Sequence, residues 1–475
     1  MVPVMRARRA TTMTIVVAAS LLGGAAAALA AGPESPPEPP RPEGAATPSP
    51  TPRDPLAGLA GENAFLRSPS NEIVLFPGFL VQVGGAFFPR QLDDLRSGFT
   101  LRRGRLELAG WLGPAFYFDV AGDFVPSEGP PSTGGAPPTD AYVAFAPQGD
   151  LFIVQAGRFD APFSLENRTL EPYLPFVERS LVVRTLAAPY NKDLGVMVHG
   201  TDDARMIYYS GGVFNGDGPA LRNGDNRVDV IGRVSVAPLA RTSLGLLHEA
   251  SLGASVWYGQ RAANQAFPTQ ATPGGFVFFN PAWPMGQMPP LNFDLFESGS
   301  TLTLGGELNL PIGHQVGLRG EGVLKEQDLA EAVISTDGTP PMVRGRAHLR
   351  GFGGYGEAWL WLMGDDRILP RPGFELPKRL GRVVEPTAEQ GLMVTARGEL
   401  LQEDLTSPSN NADRNLATTR LVTATVGVNY WYGRRVRATL NYAVTFLSGT
   451  TEAIKTLQAT SKNEQELLLL LSMAL

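Results

Sequence analysis

Four basic side chains stand at every second position of the stretch "RGRAHLR", as Arg344, Arg346, His348 and Arg350. Alternate residues of a β-strand project to the same side, so a strand here would carry one row of positive charge. Such a row attracts anions. Facing lipid near the bilayer midplane, each arginine would cost roughly 2 to 4 kcal/mol, so the row is predicted to face water. An alternative is that these arginines only pair with acids on adjacent strands.

Other residue types give little sign of catalysis or metal binding. The four histidines, His199, His248, His314 and His348, lie in no recognisable catalytic motif, and the chain has no cysteine for a disulfide or a Cys-based zinc site. The stretches 215–226 and 402–405 carry Asp, Asn, Glu or Gln residues that invite a calcium interpretation, but solvated turns are the simpler one. The sequence therefore predicts no cofactor, no metal and no enzymatic activity.

The N-terminal part of the chain is predicted to direct secretion. Arg6, Arg8 and Arg9 precede an uncharged run that ends in Ala28-Leu29-Ala30, so residues 1–30 are predicted to be a signal peptide. Residues 31–60 are Pro-rich and are predicted to be a disordered tether, with the folded domain at 61–475. Removing the three arginines lowers the formal net charge from -6 to -9, so nucleic acid is not a predicted partner.

The rest of the chain alternates apolar and polar residues with a period of two. In the stretch 422–432, Val422, Val426 and Val428 share one face, and the pattern resumes after Gly433. About 16 such segments are joined alternately by short turns and by long connections such as 160–192 and 261–298. This pattern predicts an all-β fold, a transmembrane antiparallel β-barrel in the outer membrane of a diderm bacterium. Within 341–364, basic residues and then apolar residues occupy the even-numbered positions. This predicts that the inward and outward faces of the strand exchange near Gly351–Gly354.

The stretch 157–183 combines prolines, large apolar residues and charges. Prolines prevent it from joining the sheet, and its apolar residues need a dry environment. It is therefore predicted to be the third external loop, folded into the barrel as a constriction. The predicted constriction residues are Phe163, Glu166, Arg168, Glu171, Phe176, Glu178 and Arg179.

The stretch "GRFDAPFSLENRTLEPYLPFVERSL", together with "LRRGRLELAG" at 101–110 and "NKDLGVMVHG" at 191–200, resembles the phosphate-selective porin O/P family. The resemblance implies a 16-stranded, trimeric outer-membrane porin whose lumenal arginines draw anions through the barrel. Two features depart from the family: the chain ends in "ELLLLLSMAL" without a terminal aromatic residue, and the predicted lumen mixes acids with bases. The predicted lumenal bases are Arg103, Arg105, Arg158, Arg233, Arg319, Arg344, Arg346, Arg350 and Arg397, and the predicted acids include Glu107, Asp119, Glu307, Glu321 and Glu399.

The leading hypothesis is a water-filled channel for passive diffusion of small hydrophilic solutes, with a weak preference for anions, including phosphate or polyphosphate. Its predicted partners are outer-membrane lipid, the permeating solutes or anions, and two further copies of the chain. A non-conducting structural or adhesion barrel and an outer-membrane barrel enzyme remain the alternatives. An energy-coupled transporter is disfavoured, because the roughly 40 residues before the first strand are too few and too Pro-rich for a plug domain.

Overall fold

The computed structural model describes the barrel part of the chain. Its described residues are 55–60, 63–89, 95–125, 139–189, 191–218, 220–242, 244–280, 283–285, 291–334, 342–373, 376–380, 389–406, 416–451, 454–455, 457–458, 461 and 463–475. The predicted signal peptide and residues 31–54 of the predicted tether lie outside the described residues.

Sixteen strands of the described chain form one antiparallel sheet. They are β1 Ile73–Phe87, β2 Gly98–Leu112, β3 Phe116–Asp123, β4 Asp140–Phe145, β5 Ile153–Asp160, β6 Lys192–Thr201, β7 Ile207–Phe214, β8 Asp229–Val236, β9 Ser251–Ala266, β10 Leu291–Ile312, β11 Val316–Ile334, β12 Met342–Met363, β13 Gln390–Thr406, β14 Leu416–Tyr432, β15 Val436–Gly449 and β16 Glu464–Ala474.

The sheet closes on itself. Each strand pairs with the next along the chain, and β16 pairs with β1, with Leu471 opposite Val83. Closure leaves no unpaired sheet edge, which is what a strand-built structure in lipid requires. Along β14, Val422 and Val426 are exposed while Thr423 and Thr425 are buried. The predicted sixteen-stranded barrel with an apolar outer face is therefore confirmed.

Smaller elements lie beside the barrel strands. Short strands run over Ala57–Ala60, Asn63–Arg67, Gln270–Ala271, Val277–Phe279 and Trp283–Met285. The first two pair with each other, so residues 57–60, at the end of the segment predicted to be a tether, form a strand. Short helical turns cover Glu171–Tyr173, Val183–Ala187 and Asp366–Ile368. In the part of the chain that the structure describes, no helix has the length and hydrophobicity needed to cross a membrane.

The two ends of the barrel differ. One end, here called the turn end, carries tight connections such as 313–315 and 433–435, and the other, the loop end, carries long ones such as 161–191. The connection 364–389 between β12 and β13 is an exception, because it is long yet lies at the turn end.

The predicted change of phase in β12 is wrong. This strand pairs with β11 in one register from Leu360 to Gly345, and its inward and outward positions alternate without interruption through Gly351–Gly354. Even-numbered residues of β12 from Arg346 to Leu362 therefore face outward, which decides the position of the arginine row.

Candidate functional site

The connection 161–189, here called the inward segment, is bound to the inner faces of distant strands. The backbone N–H of Leu165 donates to Glu321 of β11 (2.9 Å), that of Leu181 to Glu399 of β13 (2.6 Å) and that of Val177 to Asn441 of β15 (2.8 Å). These acceptors alternate with outward apolar residues, so they stand on the lumenal side of the wall. Their hydrogen bonds satisfy backbone donors of a segment that has no strand partner.

Apolar side chains of the inward segment also pack on the wall. Phe163 is fully buried, with its ring centre 6.2 Å from that of Trp257 in β9. The ring of Phe176 lies under the guanidinium of Arg397, 4.2 Å from ring centre to Cζ. Tyr173 belongs to a buried cluster near the turn end, whose other members are Trp359, Trp361, Ile368, Met393 and Trp431. The apolar content of this stretch is thus accounted for by contacts inside the barrel.

Glu171 is the centre of a charge cluster on the inward segment. Its carboxylate lies 3.0 Å from Arg105, 3.6 Å from Arg103 and 3.8 Å from Arg179. Burial favours the neutral carboxyl, but the positive charges, led by Arg105 and Arg103, outweigh it and hold the pKa of Glu171 well below its usual range. The carboxylate is therefore ionised over the whole neutral range.

A second charge cluster joins the inward segment to β13. Arg397 lies 3.2 Å from Glu166 and 2.9 Å from Glu399, and it also donates to the backbone carbonyl of Glu178. The Glu178 carboxylate pairs with Arg102 of β2. Arg102 was not predicted to be lumenal; it faces inward because the register of β2 shifts opposite Gln82 and Val83.

Four other predicted residues are buried but lie apart from these two clusters. Arg158 donates to the carbonyl of Gly218 (2.7 Å), and Arg168 donates to that of Asp160 (2.7 Å). Arg233 pairs with Glu307 at 2.6 Å, and Arg319 pairs with Glu357 at 3.2 Å. The guanidinium groups of all four are therefore held in place by a hydrogen bond or an ion pair with a neighbouring residue.

The predicted lumenal row on β12 faces outward instead. The Arg350 side chain is 73% exposed and lies 3.7 Å from Glu326, and His348 lies 3.1 Å from Asp328, whereas Leu349 is buried. Arg346 is exposed on the same face, and the side chain of Arg344 lies outside the described part of the structure. The physical reason is length: β11 has 19 residues and β12 has 22, whereas about 9 to 11 span a bilayer. Their loop-end halves extend beyond lipid, where outward arginines are hydrated.

A second segment enters the barrel from the turn end. Residues 364–373 and 376–380, here called the turn-end segment, contact several parts of the wall and also the inward segment. The Gly373 N–H donates to Thr169 (3.1 Å), Arg233 donates to the Gly373 carbonyl (2.8 Å), and Trp111 donates to that of Lys378 (2.6 Å). The inward position of the turn-end segment was not predicted from the sequence.

A third segment, residues 267–280, binds the wall near the loop end. Gln270 donates to Glu403 (2.9 Å), Thr272 donates to Glu464 (3.0 Å), and Phe278 is fully buried. Together with the inward and turn-end segments, it occupies part of the barrel interior.

Two cavities lined by described residues border the inward segment. The larger, of about 520 Å³, lies toward the turn end and is lined by residues of both signs, including Arg105, Asp119, Asp140 and Lys192. The smaller, of about 260 Å³, lies toward the loop end, and its charged lining residues are Arg103, Arg179, Arg184 and Glu178. The smaller cavity thus has an excess of positive charge.

Of the two stretches considered for calcium, 402–405 lies within β13, and the described part of 215–226 is built from turns. Asp217 accepts the Gly224 N–H (2.7 Å), and Asn223 accepts the backbone N–H groups of Asp225 (3.0 Å) and Asn226 (2.7 Å). Among the described residues, no group of three or more His, Asp or Glu side chains is arranged to hold a metal ion.

A closed antiparallel barrel with an apolar outer face and a charged interior is the architecture of outer-membrane barrels, and this chain is an outer-membrane protein of that class. Residues 81–266 match the phosphate-selective porin O and P family, which confirms the resemblance over that range. No curated protein matches the sequence.

Solved structures share the fold at low sequence identity. The loop L8 deletion mutant of OmpT, an outer membrane protein of Vibrio cholerae, matches with a TM-score of 0.51 and 7% identity, over 85% of this chain and 100% of that chain. In-vitro folded OmpT of Vibrio cholerae matches with a TM-score of 0.50 and 8% identity, over 86% of this chain and 99% of that chain. The anion-selective porin from Comamonas acidovorans is a looser match, with a TM-score of 0.44 and 13% identity, over 85% of this chain and 100% of that chain.

Proposed function

We propose that this protein is a porin, a channel for passive diffusion of small hydrophilic solutes, with a weak preference for anions such as phosphate. The observation that carries the preference is the smaller cavity, where three guanidinium groups face one carboxylate. A surplus of fixed positive charge at a narrow, partly dehydrated point raises the local anion concentration.

Arg184 strengthens this argument, because its charge is only partly neutralised. It lies half-buried in the inward segment, and its buried Nη1 atom has no hydrogen-bond partner among the described residues. Burial lowers the pKa of Arg184 from its usual value, and the more distant Glu466 and Glu399 offset only part of that effect. Arg184 also lines the smaller cavity, so its positive charge would attract a permeating anion there.

The inward segment is the proposed constriction of the channel. Its contacts with β9, β11, β13 and β15 support a position across the lumen, and its charged side chains border both cavities. The family resemblance further supports assembly as a homotrimer surrounded by outer-membrane lipid. No catalytic role is proposed, because permeation needs only an aqueous path and charged walls.

Single-channel recording in a planar bilayer tests the proposal. The wild type is expected to conduct, and in a potassium chloride gradient its zero-current potential is expected to show mild anion selectivity. Replacing Arg179 and Arg184 by Gln should move that potential toward cation selectivity. The matched control replaces Arg346 and Arg350 by Gln, because both face outward. A folded wild-type barrel without conductance would instead favour a structural or adhesion role.

A further inference from the structure

Two histidines from different connections meet at the turn end of the barrel. His248 lies in the connection between β8 and β9, and His314 lies in the turn between β10 and β11. Their ring centres are 6.3 Å apart, with the ring planes inclined at 76°. A backbone hydrogen bond from Gly313 to the carbonyl of Leu246 (2.7 Å) holds the two turns side by side. The imidazoles are therefore neighbours because of the backbone, not by chance rotation of exposed side chains.

Each ring is oriented by an acceptor at its Nδ1 atom. Nδ1 of His248 lies 2.9 Å from the carbonyl oxygen of Gly245, and Nδ1 of His314 lies 2.8 Å from a carboxylate oxygen of Asp366. A carbonyl and an ionised carboxylate only accept, so each neutral ring carries its hydrogen on Nδ1 and leaves the lone pair of Nε2 free. Metal-binding histidines are typically oriented in this way.

The spacing is close to what one metal ion between the two rings needs. Nitrogen ligands lie about 2.0 to 2.1 Å from zinc, so two imidazoles at a tetrahedral angle have ring centres roughly 5 Å apart, and these exposed rings must approach each other by about 1 Å to bind one ion. Glu249 places a carboxylate oxygen 3.7 Å from Nε2 of His248, which adds negative charge beside the proposed ion. The side chains of His248, His314 and Glu249 are 41%, 36% and 41% exposed, so an ion in solution reaches them.

We propose that Nε2 of His248 and Nε2 of His314 bind a divalent transition-metal ion such as Zn²⁺ at the turn end. Water completes the coordination, and Glu249 supplies negative charge beside the ion. With two protein ligands instead of the four of a structural zinc site, the site binds reversibly. Imidazole is a favoured ligand of zinc, copper and nickel, whereas Mg²⁺ and Ca²⁺ favour oxygen, which gives the site its chemical selectivity.

The position of this site links metal binding to the channel. His248, Glu249 and Asp366 all line the larger cavity, and Asp366 belongs to the turn-end segment. A bound divalent cation would add positive charge there and fasten the turn-end segment through the His314 to Asp366 contact. This consequence, unlike the binding itself, rests on the proposed channel function.

Calorimetric titration of Zn²⁺ into the folded full-length protein in detergent tests the binding. His248→Ala and His314→Ala should each weaken binding at least about tenfold, and Asp366→Asn should weaken it about tenfold by releasing the His314 ring. His348→Ala is the matched control, because that ring also has a carboxylate at Nδ1 but stands on the outer face of β12. The chain has no cysteine, so thiols add no background. Absence of zinc binding by the wild type, or equal binding by all four variants, would overturn the site.

Conductance gives the second measurement. Zn²⁺ added on the turn-end side should lower the single-channel current reversibly, with EDTA restoring it, in the wild type and His348→Ala but not in His248→Ala. An unchanged current despite histidine-dependent binding would overturn the link to permeation and leave the site intact. A barrel without any current would overturn the proposed function, and calorimetry would still decide the site.

Discussion

The carboxylate of Glu171 lies 3.0 Å from the guanidinium of Arg105, and Arg103 and Arg179 lie within 3.8 Å of the same carboxylate. One negative charge on the inward segment thus neutralises part of three positive charges, two of them on β2. The selectivity of the channel depends on this balance more than on the number of lumenal arginines, because a guanidinium already paired with a carboxylate attracts a passing anion weakly.

Replacing Glu171 by Gln should therefore increase anion selectivity. The amide keeps nearly the same shape but removes the charge, which leaves three guanidinium groups less compensated beside the path. The zero-current potential in a potassium chloride gradient is expected to move toward that of chloride. Glu326→Gln is the control, since Glu326 is 59% exposed on the outer face. Equal shifts in the two variants would contradict a special role for Glu171.

The pH dependence of selectivity follows from the low pKa of Glu171. Its pKa is depressed in the folded protein, so its ionic contacts are fully present above the ordinary value of 4.5 and are lost only as pH falls through the lower, folded-state pKa. The contribution of Glu171 should therefore stay constant, so the zero-current potentials of the wild type and Glu171→Gln should change by the same amount between pH 7 and pH 5. A shift over this range that is present in the wild type and missing in Glu171→Gln would contradict the depressed pKa.

Period-two alternation was enough to predict the barrel and its sixteen strands, because burial of one face repeats at every second residue. The same alternation could not decide which face of β12 is lumenal. The prediction assumed that any outward arginine meets lipid, whereas Arg350 stands on a strand half that extends beyond it. Which face of β12 can carry arginines depends on the length of the strand relative to the thickness of the membrane, and not on residue type alone.

The composition that identified the inward segment occurs again in the turn-end segment. Both combine prolines, large apolar residues and charges, as in Pro172 and Phe176 of the first and Pro370 and Ile368 of the second. That signal could have predicted the second segment. The inward position of Arg102 could not be predicted, because it depends on a one-residue register shift that leaves no mark in the local sequence.

Loosening the turn-end segment should raise the single-channel conductance. Lys378 pairs with Glu107, and Arg379 lies 3.5 Å from Asp150 with its guanidinium 3.7 Å from the ring centre of Trp111. Replacing both bases by Gln removes these contacts and frees one side of the segment. Arg241→Gln is the control, because Arg241 pairs with Asp202 at the same end but is 66% exposed. Wild-type conductance in the folded double variant would show that the segment does not limit flow.

Glu321 holds the start of the inward segment through two backbone hydrogen bonds and accepts a third hydrogen bond from β12. Its two carboxylate oxygens accept the N–H groups of Leu165 (2.9 Å) and Glu166 (2.8 Å) and the hydroxyl of Tyr355 (2.7 Å). In Glu321→Gln an amide donor replaces one oxygen and faces another donor, which costs roughly 1 to 3 kcal/mol of local stability. The segment should then fluctuate, and the open-channel current noise should increase.

Two further variants separate this anchor from a general effect of losing a buried carboxylate. Tyr355→Phe removes one of the three donors and keeps both backbone contacts, so its increase in noise should be smaller than that of Glu321→Gln. Glu403→Gln instead removes a wall carboxylate that accepts a hydrogen bond from Gln270 of the third segment, residues 267–280. It should leave the fluctuations of the inward segment unchanged, as measured by the reactivity of a cysteine placed at Leu170. If Glu321→Gln folds and shows both the noise and the Leu170→Cys reactivity of the wild-type background, Glu321 is not the anchor of this segment.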